Sequence, residues 1–178
     1  MSKLLLSGTP CPTEYLHGLS QSFPEIDSYS FHTYLSLRKF SNDLENSLES
    51  YFSSYGISAG RFMLLLILSS NNEGMMPSEL AQQCSVTQAT ISGLLNGLQK
   101  TNLIERSTHS RDGRAYVIKL SEAGVALLNV VKPEFLNCVN SMMDQFSEAE
   151  IQRMVSSLSK FSLCLKQFNH VRSMGLEV

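Results

Sequence analysis

Tryptophan is absent, and the longest apolar run, Phe62 to Leu68, is far shorter than the ~20 residues a bilayer-crossing helix needs. The four cysteines (Cys11, Cys84, Cys138, Cys164) are widely scattered with no paired spacing, which excludes a cysteine metal site and a disulfide framework. The four histidines (His17, His32, His109, His170) are equally isolated, so neither a metal nor any other cofactor is expected. Ser110, His109 and Asp112 are the residue types of a hydrolase triad. They crowd onto one turn with no oxyanion elbow, so no enzyme is expected. Lys3 with Leu4-Leu5-Leu6 mimics the start of an export signal but runs at once into Ser7-Gly8-Thr9-Pro10. A cytoplasmic protein with reduced thiols and no membrane contact is therefore expected. No internal repeat is seen, and neither sign of charge dominates: 14 Lys and Arg stand against 16 Asp and Glu, for a net charge of -2.

What is present is helical periodicity. A short helix is expected from about Pro12 to Ser22, with a break at Pro24. From about Ser28 to Tyr55 the residues Phe31, Tyr34, Leu35, Leu44, Leu48 and Phe52 recur at helical spacing, and Gly56 suits the stop. Ser58 suits the cap of a central, buried helix ending near Ser70. Pro77 and Glu79 suit the first turn of a short helix carrying Leu80 and Cys84 on its core side. Thr87 then caps a helix whose core face is Ile91, Leu94, Leu95 and Leu98. Tyr116, Ile118 and Leu120 alternate with Ala115, Val117 and Lys119 as in a strand, and Asp112-Gly113 is a tight-turn signal. A further helix runs from Ser121 toward Phe146, kinked or divided at Pro133. The capping pattern Ser147-Glu148-Ala149-Glu150 opens a last helix with Ile151, Met154, Val155, Leu158, Phe161, Leu165 and Phe168 along one stripe.

Short helix, turn, second helix, then hairpin is the order of a winged helix-turn-helix: a mainly α fold with a small β-hairpin wing. From Pro77 to Leu120 five basic residues (Lys100, Arg106, Arg111, Arg114, Lys119) face three acids (Glu79, Glu105, Asp112), leaving nine basic and thirteen acidic residues elsewhere. That asymmetry suits a DNA-facing lobe on an acidic body. The open side of the second helix carries Gln88, Ala89, Thr90, Ser92 and Asn96. Gln and Asn pair bidentately with adenine, Thr and Ala touch thymine methyls, and small Ser92 and Gly93 allow deep entry into a major groove. Arg111 and Arg114 suit a minor groove or adjacent phosphates, and Lys100, Arg106 and Ser78 suit phosphate contact. Each feature alone also fits a solvated surface.

The terminal helices expose more apolar surface than a small winged helix covers. A second copy would bury it and set two recognition helices one DNA turn apart, matching a pseudo-palindromic double-stranded site. The alternative is that these helices cover each other within one chain.

Taken together, Tyr55-Gly56-Ile57-Ser58, Arg61-Phe62-Met63-Leu64-Leu65, Ser78-Glu79-Leu80-Ala81, Val86-Thr87-Gln88-Ala89-Thr90-Ile91-Ser92, Leu98-Gln99-Lys100-Thr101-Asn102-Leu103-Ile104-Glu105-Arg106, Asp112-Gly113-Arg114 and Leu120-Ser121-Glu122-Ala123-Gly124 resemble the MarR family of bacterial transcription regulators over roughly residues 28 to 170. The resemblance implies a triangular homodimer with interlocking N- and C-terminal dimerisation helices. It also implies a repressor, or less often an activator, released from DNA by a small effector, commonly an aromatic acid or phenol. Asp112 and Arg114 match the family's wing acid and arginine. Gln99 and Asn102 stand where glutamate and glycine are common. The implied organisation is a flexible start (1–11), dimerisation segments (12–55 and 121–170) around the winged helix-turn-helix (56–120), and a tail (171–178). Two other functions stay open: a winged-helix protein-interaction module, and a thiol-based redox-responsive regulator in which oxidation of Cys84 disturbs binding.

Overall fold

The computed structural model describes residues 27–108 and 116–173. Its elements are α1 (Ser28–Ser53), α2 (Ala59–Ser69), α3 (Pro77–Gln83), α4 (Gln88–Lys100), β1 (Ile104–Thr108), β2 (Tyr116–Leu120), α5 (Glu122–Met143) and α6 (Glu148–Ser173). This is the expected mainly α chain with one antiparallel hairpin. The helix expected near Pro12 to Ser22, the hairpin tip, Cys11, His17 and His109 lie outside the described residues, as do the side chains of Phe168 and His170. The chain forms two compact units, dividing between Val125 and Ala126 within α5.

In the first unit the helix starts follow from side-chain oxygens placed to accept otherwise orphaned backbone N–H groups. Asp27 accepts from the amides of Tyr29 and Ser30 at 3.3 and 3.2 Å and from the Ser30 hydroxyl. These bonds, led by the hydroxyl of Ser30, hold its carboxyl below the usual range. Ser58 accepts from the Arg61 amide at 3.3 Å. Met76 precedes α3 and has no oxygen to offer. Glu79 instead reaches back to accept the Met76 N–H at 2.7 Å.

Three helices in this unit stop in the same way. Gly56, Ser85 and Asn102 adopt φ of 71°, 54° and 55°. Each donates its N–H to the carbonyl three residues back, and the following residue donates to the carbonyl five back: Gly56 to Ser53 and Ile57 to Phe52, Ser85 to Gln82 and Val86 to Ala81, Asn102 to Gln99 and Leu103 to Leu98. This is the Schellman stop. Only the first uses glycine. Asn102 takes the left-handed role where glycine is common, and serine does so in the turn between α3 and α4.

Helix α2 is the centre of the unit. Phe62, Leu64, Leu65 and Leu68 are buried, and the Phe62 ring stacks on Phe52 of α1 with centroids 4.3 Å apart. Burial of two full aromatic rings makes this contact costly to delete, by about 3–5 kcal/mol for phenylalanine to alanine. The hairpin pairs Ile104 with Leu120 through Thr108 with Tyr116. Met75 forms a third rung on the outer edge of β2: its N–H donates to Ile118 O at 3.0 Å and the Ile118 N–H returns to Met75 O at 2.8 Å. The simple alternation expected for β2 does not hold. Val117 and Ile118 are adjacent and both buried, at 6% and 0% exposure, so the strand is covered on both faces. The Ser121 hydroxyl donates to Asn102 O at 2.6 Å and accepts the Gly124 N–H at 3.0 Å. A Cβ on Gly124 would collide with the Leu103 carbonyl oxygen, so glycine is required there.

In the second unit α5 continues unbroken past Pro133, where one backbone donor is missing, and Leu128 and Val131 are buried. Glu150 closes the start of α6, its carboxylate accepting from both the amide and hydroxyl of Ser147 at 2.9 and 2.6 Å. Those bonds, the hydroxyl's first, lower its pKa. The apolar stripe expected on α6 is largely exposed, with Val155 at 58%, Leu158 at 54% and Leu165 at 61%.

A left-handed serine is strained by the approach of its Cβ to the backbone, at about 1–2 kcal/mol, while glycine there gives back about 0.5–1 kcal/mol in chain entropy. Ser85→Gly should therefore raise the unfolding free energy by up to about 1 kcal/mol. Urea titration would measure it, and a loss of stability would contradict this account of the turn.

Candidate nucleic-acid interface

The outward side of α4 exists because its inward side is fixed. Ile91, Leu95 and Leu98, spaced four and three apart, are all buried, and α4 packs against α2, α3 and β1. Leu94, expected among them, is only half-buried. The residues between must face away, and Gln88, Ala89, Thr90, Ser92, Gly93, Asn96 and Lys100 are all exposed. Every α4 residue expected from the sequence to make contact thus shares one open surface. Ser78 is exposed at the start of α3 and Arg106 is exposed on β1. Arg111 and Arg114 lie outside the described residues.

From Gln88 to Asn96 this surface carries no ionisable side chain, and Lys100 closes it with the first charge. Its chemistry is that of amides, hydroxyls and small apolar groups, which suits reading hydrogen-bond patterns rather than holding a strong anion. Not all of its polar groups are free. The Thr90 amide donates to Thr87 Oγ1 at 3.2 Å, and the two hydroxyls lie 2.9 Å apart. The hydroxyl of Thr90 is therefore committed to the cap.

Two further exposed side chains were not singled out from the sequence as candidates for contact. Val86, in the turn entering α4, is an exposed apolar side chain beside Gln88. Tyr116 lies under Arg106, whose guanidinium carbon is 4.9 Å from the ring centroid. In the register that pairs Arg106 with Ile118, Tyr116 is the diagonal neighbour on the same face, within reach of a long side chain. Such a contact orients a guanidinium without neutralising it. Only the strand register reveals it.

Cys84 sits half-buried at the end of α3, and Cys138 and Cys164 are exposed thiols. Among the described residues no group of His, Cys, Asp and Glu is placed to hold a metal, and no helix is long and apolar enough to cross a membrane. An open polar groove of about 460 Å³ beside α3 is lined by Asn71, Gly74, Met75, Glu79, Gln82 and Gln83. None of the expected contact residues lines it.

Against known proteins, a profile described as the MarR family matches residues 55–115. The HTH-type transcriptional repressor YetL of Bacillus subtilis is 32% identical over 140 residues, covering 78% of this chain and 84% of that protein. The Staphylococcus aureus MepR–DNA complex superposes with a TM-score of 0.66 at 24% identity, covering 78% of this chain and 98% of MepR. A MarR/EmrR family transcriptional regulator from Acinetobacter sp. ADP1 superposes with a TM-score of 0.65 at 23% identity, covering 78% and 97%.

The first turn of α4, which carries Gln88, Ala89 and Thr90, depends on the Thr87 cap. Thr87→Ala should lower stability by about 1 kcal/mol and speed amide exchange at Thr90 and Ile91. Unchanged exchange would show that the cap does not hold this surface.

Proposed function

The chain belongs to the MarR family of transcription regulators, and from that premise we propose that it is a cytoplasmic, non-enzymatic repressor acting as a homodimer on double-stranded DNA. The observation that carries this reading is the outward side of α4: exposed, almost uncharged, and rigidly backed by Ile91, Leu95 and Leu98. Gln88, Ala89, Ser92 and Asn96 read base edges in the major groove, and Thr90, its hydroxyl tied to the cap, meets a thymine methyl with its own methyl group. Ser78, Lys100 and Arg106 hold phosphates, with Tyr116 aiming Arg106. Arg111 and Arg114 of the wing reach the minor groove or the phosphates beside it.

The exposed apolar side chains of α6 at helical spacing support the dimer, since a second copy would remove them from water. The segments 12–55 and 121–170 form its dimerisation region around the winged helix-turn-helix of 56–120. A two-fold dimer reads two half-sites about 34 Å apart. Release by a small, aromatic effector completes the reading, in line with the family.

Binding of the purified protein to DNA fragments from its own upstream region, across a salt series, tests this. The expected footprint is two half-sites one turn apart. Arg106→Ala should weaken binding on every sequence and shrink the salt slope by about 1, whereas Gln88→Ala should also change which base is preferred. No binding even at low salt would favour a protein-interaction module instead.

A further inference from the structure

Helix α4 contains two glycines four residues apart, and the structure accounts for only one of them. At Gly97 an added Cβ would run into the guanidinium of Arg61. That arginine lies across α4 from α2, its Nε buried and without a hydrogen-bond partner. Glycine at 97 is thus the space that Arg61 occupies.

Gly93 has no such reason. Its backbone is helical, without the positive φ that favours glycine. A Cβ there would meet nothing within 4 Å. It sits two residues from both Ile91 and Leu95, on the side of the helix turned away from the core, and it is exposed. Apart from proline, glycine is the poorest residue for a helix interior, and alanine would fit this position without strain. Neither the fold nor the packing of the chain requires glycine at 93.

We infer that Gly93 is the point of closest approach between this protein and bound DNA, a positioning residue whose missing side chain sets how deeply α4 enters the major groove. The inference rests on the DNA-reading role proposed for α4. Its neighbours agree with it. Ala89, one turn earlier, is small, and Gln88, Ser92 and Asn96 flank the line on which Gly93 lies. With the backbone in contact at 93, the short side chains of Ser92 and Asn96 reach base edges. Each added carbon at 93 lifts the helix and withdraws them.

The fold and the function therefore pull in opposite directions at one residue, which makes the inference testable. The full chain would first select a duplex from a pool of random 30-bp sequences. Affinity for that duplex and thermal stability would then be measured for the wild type, Gly93→Ala, Gly93→Leu and Gly97→Ala. Gly93→Ala should raise Tm by about 2–4 °C while weakening binding about tenfold or more, comparable to loss of one base contact. Gly93→Leu should hold or raise Tm relative to the wild type and weaken binding further. Gly97→Ala, which must displace the Arg61 guanidinium, should gain less in Tm than Gly93→Ala. Selective binding by the wild type with equal affinity in Gly93→Ala would overturn the inference and leave the DNA-reading role standing. So would equal losses for alanine and leucine, which would point to helix rigidity rather than to distance. A drop in Tm for Gly93→Ala would reveal a structural need for glycine and overturn it as well. Failure of the wild type to select any duplex would remove the DNA-reading role itself.

Discussion

The burial of Ile91, Leu95 and Leu98 along one side of α4 is the constraint from which the rest of the first unit follows. Those three side chains determine which residues of α4 water can reach, and so which chemistry the chain can show to a partner. The Thr87 cap and the Asn102 stop set the length of the exposed surface. The edges are held by backbone bonds: β2 pairs with β1 on one side, and on the other Ile118 exchanges both of its backbone bonds with Met75, which ties the hairpin to the segment entering α3. Ser121 then fastens the start of α5 to the turn after α4. Helix α4, the hairpin and the entry to α3 are in this way parts of one hydrogen-bonded frame rather than three pieces hung on loops.

Much of this frame was legible in the sequence because capping and periodicity are local. Asp27 apart, the residues that cap or open helices were identifiable from their neighbours: Ser58, Glu79, Thr87 and Glu150 all act where expected. What was not legible depends on contacts distant along the chain. The pairing of Met75 with Ile118 spans more than forty residues, and so does the packing of α2 against β2, whose adjacent Val117 and Ile118 are both buried instead of alternating. The contact of Arg106 with Tyr116 requires the strand register. The stop at Ser85 carries no glycine to mark it, so a left-handed residue there is visible only in three dimensions. Of the two outcomes expected at Pro133, a kink or a division, the division does not occur, since α5 runs from Glu122 to Met143 through the proline.

Membership of the MarR family rests on similarity across most of the chain, above all to a Bacillus subtilis repressor, and not on the shared fold alone. That distinction matters for the surface of α4. The superposed structures establish the fold alone. The residues it carries here, with two glycines and no charge before Lys100, belong to this chain's own sequence.

On the role proposed for α4, a reading surface without charge also changes how a protein divides its time between one site and a whole chromosome. Attraction to arbitrary DNA comes from cations displacing counter-ions, and a chromosome offers about 10⁶–10⁹ competing positions. Between Gln88 and Asn96 this protein contributes nothing to that background attraction. Its dwell on decoy sequence is left to a handful of lysines and arginines at the margins. With α4 in that role, a larger share of the molecules would stay free to search, so fewer copies per cell would keep a given operator occupied.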